Sequence, residues 1–294
     1  MLAELCHNGN MRKRSRVALF SLLIAVSGVV AWVLFSPEVL DPMYKGKALS
    51  KWMKEVAYAY YVALDSSANQ GNLDEVSEKL DSWAAAVRQS GTNAIPLLLN
   101  SIRASDSNLK FKFYGLLERQ HFIKVRHIPA EMLNQQAQLG FETLGSKASS
   151  AIPELIRIYK SDPEGLSSAY AAESLAAIGP VDNDAVMALV SSTTNKSDIV
   201  RRRAMFALSR MHADPKTVVP VLTECLKDND GVLVQRAADA LAEYGKEAVS
   251  ALPELRRLKR DQDASVRDSA VNALKLITGE AAAKTNTGGA LDKP

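Results

Sequence analysis

Few residues of this chain have the types and spacing that catalysis or metal binding requires. The histidines and cysteines do not recur at the short fixed spacings of zinc ligands, and no glycine-rich phosphate loop or G-x-S-x-G motif is present. These candidate residues are His7, His121, His127, His212, Cys6 and Cys225. Cys225 shares a helical face with Leu222, so we expect a buried, unreactive thiol. We therefore expect no catalytic residue, no metal and no cofactor, and predict that the protein is not an enzyme.

A binding surface is indicated instead by four residues at intervals of 33 positions, namely Glu173, Phe206, Asp239 and Asn272. Phe206 lies in the helical stretch Val200–Met211, and at 100° per residue it points away from the side that the apolar residues define. A mixed polar row with one exposed aromatic residue suits protein recognition, and the alternative is an ordinary solvated face. We take this row as the candidate protein-interaction face.

The interval of 33 residues recurs through the second half of the chain. Four leucines stand at this interval, and each has an alanine four positions before it. The pairs are Ala171 and Leu175, Ala204 and Leu208, Ala237 and Leu241, and Ala270 and Leu274. A fixed period of this kind indicates one structural unit that is copied and stacked, because a single unit cannot bury its own apolar face. The sequence therefore predicts a solenoid.

Each unit carries signals for two helices. Helix starts are predicted at segments in which proline, where present, is tolerated because its missing N–H would have no intrahelical partner. These segments are Ala151–Leu155, Ala185–Leu189, Val218–Leu222 and Ala251–Leu255. Gly179 and Gly245 end the second helices, and His212 occupies the same column. The predicted unit is a helix, a short polar turn, a second helix and a glycine.

The pattern A-x-P-x-L, Asp, Val-Arg, A-x-x-A-L and Gly resembles the HEAT repeat, in particular its short bacterial form, from about Gly91 to Gly279. This resemblance implies an all-α protein, a right-handed α-solenoid of about six helical pairs whose second helices line the concave side. No run alternates apolar and polar residues for long enough to suggest a sheet. The segment Tyr44–Trp52 also resembles the opening segment of bacterial membrane-anchored or secreted HEAT-repeat proteins of unassigned function.

The period fails between Pro96 and Pro153, which are 57 residues apart. Within this interval we predict a helical pair, Ala94–Arg103 with Leu109–Glu118, followed by a further helix, Glu131–Leu144. Upstream, Leu49–Leu64 and Leu73–Val87 form a divergent capping pair. We therefore divide this part of the chain into a linker and cap (36–90), the repeats (91–279) and a disordered tail (280–294).

The N-terminal part contains an uncharged run of about 19 residues, Val17–Phe35, which is long enough to cross a bilayer as a helix. Basic residues concentrate in segment 1–16, which places that segment in the cytoplasm and the solenoid on the outer side. A cleaved secretory signal is the alternative. Translation starts at either Met1 or Met11, and one hypothesis favours Met11 because Met11–Arg14 opens a normal anchor. The predicted location is a bacterial inner membrane, with the solenoid in the periplasm.

The distribution of charge along the chain limits the classes of partner that the solenoid can bind. The chain has 36 basic and 33 acidic residues, and segment 1–16 accounts for the whole excess of +3, so the solenoid is formally neutral. A nucleic-acid-binding protein needs a basic surface to displace counterions from phosphates, and we predict no such partner. The basic runs 201–203 and 256–260 are interpreted as solvated helix edges. Arg201 and Arg267 are expected to pair with turn aspartates between repeats.

These observations predict a membrane-anchored, non-catalytic scaffold that binds a protein partner on the outer side of the membrane. No small-molecule substrate is indicated. One alternative rests on resemblance alone, because some HEAT-like bacterial proteins are lyases that attach bilin chromophores to cysteines. The predicted anchor and the lack of any acid, base or pigment-holding residues count against this alternative.

Overall fold

The computed structural model describes residues 41–65, 70–106, 128–180 and 182–279. Most of these residues are helical, beginning with α1 (Leu49–Asp65), α2 (Gln70–Ser90), α3 (Ile95–Ile102), α4 (Ala130–Leu144), α5 (Ile152–Ser161) and α6 (Leu166–Ile178). The remaining helices are α7 (Asn183–Ser192), α8 (Asp198–Met211), α9 (Pro215–Cys225), α10 (Gly231–Tyr244), α11 (Leu252–Leu258) and α12 (Ala264–Thr278). Short 3-10 helices, Gly91–Ala94, Gly145–Ala151 and Gly245–Ala251, lead into α3, α5 and α11. A hairpin of β1 (Met43–Tyr44) and β2 (Lys47–Ala48) precedes α1.

The helices pack as successive pairs, α1/α2, α3/α4, α5/α6, α7/α8, α9/α10 and α11/α12. The second helix of each pair also packs against the second helix of the next pair, so one apolar core runs along the stack. Leu175, Leu208 and Leu241 are completely buried in this core, and Leu274 on α12 is partly buried. The predicted α-solenoid of helical hairpins is confirmed, and its physical basis is the stacking of units that bury their apolar faces against each other.

Proline lies in the first turn of four first helices, whereas α1 and α7 begin without one. The prolines in the first turns of α3, α5 and α11 are Pro96, Pro153 and Pro253. In contrast, α9 begins at Pro215, and Pro220 lies inside it. The Asp214 carboxylate caps α9 by accepting the N–H of Lys216 at 3.3 Å. The predicted start at Val218–Leu222 is therefore wrong, because an aspartate followed by proline provides an earlier start signal.

The second helices end at residues with positive φ. Gly179, Gly245 and Gly279 have φ values of 92°, 53° and 80°, and His212 stands in the same position of its repeat with φ 48°. Glycine adopts this conformation without steric cost, whereas a residue with a Cβ is strained in it. His212 thus fills a position that favours glycine.

The long interval between Pro96 and Pro153 contains one repeat with an insertion. It exceeds the 33-residue period by 24 residues. The second helix of this repeat is α4, which packs against α3 and aligns with α6 at an offset of 34 residues. The sequence assigned that role to Leu109–Glu118, a segment outside the described residues. The pairing of α3 with that segment therefore stays a prediction, whereas the further helix predicted at Glu131–Leu144 is confirmed as α4. Ala137 and Phe141 occupy the ladder positions of α4, with Phe141 in place of the leucine.

The hairpin is a small departure from the expected all-α structure. Lys45 and Gly46 both have positive φ, 47° and 73°, which gives the two-residue turn that suits a β-hairpin. Trp52 Nε1 donates to the Tyr44 carbonyl oxygen at 3.2 Å, and Lys47 Nζ lies 3.6 Å from the centroid of the Trp52 ring. Strands of two residues are too short to show alternation, so the expectation that the chain has no sheet is wrong here.

Among the residues that the structure describes, no helix is long and apolar enough to cross a membrane. The predicted anchor Val17–Phe35, the basic segment 1–16 and the tail 280–294 all lie outside those residues.

Candidate functional site

A pocket of about 400 Å³ lies on the surface formed by α6, α8 and α10. We call it the Phe206 pocket, and its lining residues are Ala169, Glu173, Arg202, Arg203, Phe206, Val232 and Arg236. Two of these residues come from α6, three from α8 and two from α10. The pocket therefore needs three consecutive repeats in their stacked positions.

Helical periodicity places Phe206 in this pocket. Ala204, Leu208 and Met211 on α8 are at most 1% exposed and take the core side of the helix. Phe206 lies off that side and is half-buried, while Arg202, one turn earlier, is exposed. The aromatic ring is thus held on a rigid helix and remains accessible in part.

Exposed aliphatic side chains mark the start of the second helices. Leu166, Ile199 and Val232 stand 33 residues apart and are 50%, 47% and 47% exposed. Single exposed aliphatic residues are common on protein surfaces, but three at one repeat position form a row. This aliphatic row reaches the Phe206 pocket at Val232.

Two guanidinium groups lie over the Phe206 ring. The distances from the ring centroid to Cζ are 5.6 Å for Arg210 and 5.2 Å for Arg236. Both fall within the range at which a cation is attracted to the face of an aromatic ring. Arg210 also lies 3.6 Å from the carboxylate of Glu142 on α4. The ring and the two arginines therefore connect α8 with α4 and α10.

Other arginines of the pocket are engaged in structural contacts. Arg203 Nη1 donates to the carbonyl oxygens of Pro163 and Gly165, at 3.0 and 2.8 Å, in the turn before α6. Arg202 forms an ion pair with Asp230, the residue that caps α10. These contacts hold neighbouring repeats together beside the pocket.

Burial raises the pKa of Glu173, and the carboxylate of Glu142 adds to the effect, while Arg210 and Arg203 partly offset it. Burial also raises the pKa of the neighbouring Tyr170 to about 12, with contributions from Glu131 and Glu173. The negative charge of the pocket therefore lies on its α6 side, in a partly desolvated position. The guanidinium groups of Arg202 and Arg236 lie on the α8 and α10 side.

The structure brings together two of the four residues in the predicted interaction row. Glu173 and Phe206 line the same pocket, whereas Asp239 and Asn272 are exposed on α10 and α12 and do not line it. Phe206 is also less exposed than the sequence predicts, because the side chains of Arg210 and Arg236 lie over its ring.

Sequence reasoning missed Arg236 and Val232, although the period contains both. Arg236 stands 33 residues after Arg203, and Val232 stands 33 residues after Ile199. Extending these two columns, in addition to the column of Phe206, would have identified them. The contact of Arg236 with the ring, and the place of Val232 in the pocket, depend on how α8 packs against α10, which the period alone does not specify.

A second set of contacts joins repeats away from the pocket. Arg201 pairs with Asp228 of the next repeat through Nε at 2.8 Å and Nη2 at 3.1 Å, as predicted. Burial of Asp228 opposes its ionisation, but the N–H of Asp230 and the Arg201 guanidinium outweigh burial and lower its pKa. Arg267 differs from the prediction, because it donates to the backbone oxygens of Asp261 and Gln262 in its own turn, both at 2.8 Å.

The side chains of the described residues are suited to binding, and they include neither a cluster of metal ligands nor a reactive thiol. No three histidine, cysteine or carboxylate side chains among them lie together as metal ligands. Cys225 is 7% exposed, and burial raises the pKa of its thiol to about 11 despite a hydrogen bond to Thr193. A thiol with so high a pKa is a poor nucleophile at neutral pH.

The match to a protein-family model agrees with this architecture. Residues 186–275, which include α8 and α10, match the family model described as HEAT repeats. A crystal structure of an engineered protein, a target of the Northeast Structural Genomics Consortium, is similar to the chain with a TM-score of 0.44 and 18% identity over 76% of this chain and 97% of the other. No curated protein matches the sequence.

Proposed function

The chain is a HEAT-repeat protein, and we propose that it is a non-catalytic scaffold that binds a protein partner at the Phe206 pocket. The observation that carries this proposal is the accessible aromatic ring beneath Arg210 and Arg236 on a surface built from three repeats. Aromatic residues and arginine are enriched in protein–protein interfaces and dominate the binding energy of many of them.

The surroundings of the pocket support a protein partner. The aliphatic row of Leu166, Ile199 and Val232 supplies apolar area that the other described residues leave exposed and that a partner would bury favourably. Helices position these side chains rigidly, so little conformational entropy is lost when a partner covers them. An extended or helical segment lying across α6, α8 and α10 would contact the row and the pocket together.

The proposal includes a location. The uncharged run Val17–Phe35 after a basic segment supports an anchored protein whose repeats lie on the outer side of the membrane. A scaffold that is tethered in this way would hold its partner at the membrane surface. A reporter that is active only outside the cytoplasm, fused after Gly279, tests this part, and activity of only a cytoplasmic reporter would contradict it.

Site-specific photocrosslinking tests the binding face. Benzoylphenylalanine placed at Val232 should crosslink a discrete protein in intact cells. The matched control is Met187 on α7, which has the same exposure of 47% as Val232 but lies on a first helix. We expect a crosslinked product from Val232 and none from Met187.

The role of the aromatic ring is tested in the same experiment. Adding Phe206→Ala to the Val232 crosslinking variant should abolish the product while the protein remains folded. A product of equal yield from Val232 and Met187, or one that is insensitive to Phe206→Ala, would show that the pocket is not the binding site.

A further inference from the structure

We infer that the partner of the Phe206 pocket is an acidic protein segment. In this segment a carboxylate side chain binds Arg236, and an adjacent apolar side chain packs on Phe206 and Val232. This inference rests on the proposed scaffold function and specifies the chemistry of its partner.

The argument begins with the charge of the pocket. Its lining contains three guanidinium groups and one carboxylate, and Arg202 is paired with Asp230, so a net charge of +1 remains at the pocket although the solenoid as a whole is formally neutral. A local excess of positive charge on a neutral surface favours a partner of complementary charge. The carboxylate, Glu173, lies on the α6 side, so an acidic ligand would meet the least repulsion near α10.

Arg236 is the guanidinium that can take a new partner. Arg203 already donates to two backbone oxygens, Arg202 is paired with Asp230, and Arg210 lies near Glu142. Among the described residues Arg236 forms no ion pair, and its guanidinium group lies over the face of the Phe206 ring, 5.2 Å from the ring centroid. Its planar donor groups can bind a carboxylate in a bidentate way while the ring supports the guanidinium.

The apolar residues of the pocket determine which side chain the partner carries next to its carboxylate. Phe206, Val232 and Ala169 lie beside the arginines in one pocket of about 400 Å³. This volume accommodates one or two side chains of a protein segment better than a larger group. An aliphatic or aromatic residue next to the carboxylate would cover the exposed side of Val232 and the accessible part of the ring.

A carboxylate fits the site better than a phosphate. Phosphate recognition generally uses several cationic or backbone donors around one group, whereas a single unpaired guanidinium is present here. Glu173 would repel a doubly charged phosphate more strongly than a singly charged carboxylate. The neutral solenoid also lacks the extended basic surface that a nucleic acid requires.

Selection from a random library of 12-residue peptides on phage tests the inference with the full-length protein in detergent as bait. We expect the enriched peptides to carry an excess of aspartate and glutamate next to leucine, isoleucine or phenylalanine. Arg236→Gln should weaken binding of a selected peptide by about tenfold or more, because a desolvated charge pair is lost. Arg256→Gln on α11 removes the same charge elsewhere and should change the affinity by less than about twofold.

The outcomes separate the inference from the proposed function. Enriched peptides that depend on Phe206 but show no acidic bias, or that bind Arg236→Gln as tightly as wild type, would overturn the acidic partner and leave the scaffold intact. Peptides that are insensitive to both Phe206→Ala and Arg236→Gln, or no enrichment at all, would overturn both. Binding that is displaced by an RNA homopolymer but not by an acidic peptide would identify a phosphate ligand and also refute the inference.

Discussion

Truncation of a ladder leucine tests how the repeats are held together. Leu241 on α10 is completely buried, and Ala237, Ala238 and Ala240 around it are at most 2% exposed. Small neighbours of this kind cannot move far enough to fill the space that a shortened side chain leaves. Leu241→Ala should therefore lose the full transfer term of about 2 kcal/mol and a cavity term of about 1–2 kcal/mol, which gives a total of about 3–4 kcal/mol.

The assay is urea unfolding followed by circular dichroism, with hydrogen exchange to locate the effect. Because each repeat is stabilised by its neighbours, α8 and α12 should exchange faster in Leu241→Ala, whereas α1 and α2 should change less. The matched control is Leu276→Ala on α12, where the leucine is 43% exposed and the same truncation should cost less than about 1 kcal/mol. Equal stability of the two variants would refute the role of the 33-residue ladder as the continuous core.

Further predictions concern single contacts. His212→Gly should stabilise the protein by about 0.5–1 kcal/mol in a urea titration, because glycine adopts the φ of 48° without strain, and a loss of stability would contradict this. Asp228→Asn should cost about 1–3 kcal/mol at pH 7, since the largely buried Arg201 would lose one of its two carboxylate partners and keep only Asp198. The difference from wild type should shrink as the pH falls below the ordinary aspartate pKa of 3.8 and through the lowered pKa of Asp228. Because the pKa of Glu173 is raised in the native state, the native state binds a proton more readily than the unfolded state, and this group favours folding at low pH. This contribution to stability is lost as the pH rises from about 4.5, the ordinary pKa, through the pKa of the folded state. Glu173→Gln should remove this pH dependence from the free energy of unfolding. In a Cys6→Ser background, Cys225 should react with iodoacetamide at pH 8 only after unfolding, and rapid labelling of the native protein would count against its burial.

The sequence predicts the architecture because the 33-residue period follows from the way in which the repeats pack against each other. Leu175, Leu208 and Leu241 repeat at a fixed interval since each fills the same place between stacked units, and all three are buried as expected. The inter-repeat contact of Arg201 with Asp228 was also predictable, because a turn aspartate and a helix arginine recur in register.

The errors arose where local signals competed with the period. Pro220 was read as a helix start, but Asp214 and Pro215 begin the helix earlier. The sequence predicted the helix Glu131–Leu144 but not its place as a second helix of the stack, because the long interval interrupts the period and Phe141 takes the place of the ladder leucine. The start of α9 could have been predicted from Asp214 and Pro215, whereas the place of α4 in the stack depends on which helix packs against which.

The candidate site was predictable only in part. Periodicity placed Phe206 on the surface of α8, but it did not show that Arg210 and Arg236 cover the ring from α8 and α10. Such contacts depend on the spacing and rotation of neighbouring helices, which a column of residues does not encode. Asp239 and Asn272 continue the column of Phe206 without joining its pocket.

The central claim is that the Phe206 pocket serves binding instead of folding, and it is tested most directly by measuring both properties of Phe206→Ala in one preparation. The affinity of the peptides selected on the wild-type protein should fall by about tenfold or more, while the free energy of unfolding decreases by less than about 2 kcal/mol, because the ring is only half-buried. A large loss of stability with unchanged affinity per folded molecule would show that Phe206 is a packing residue and would contradict the proposed binding site.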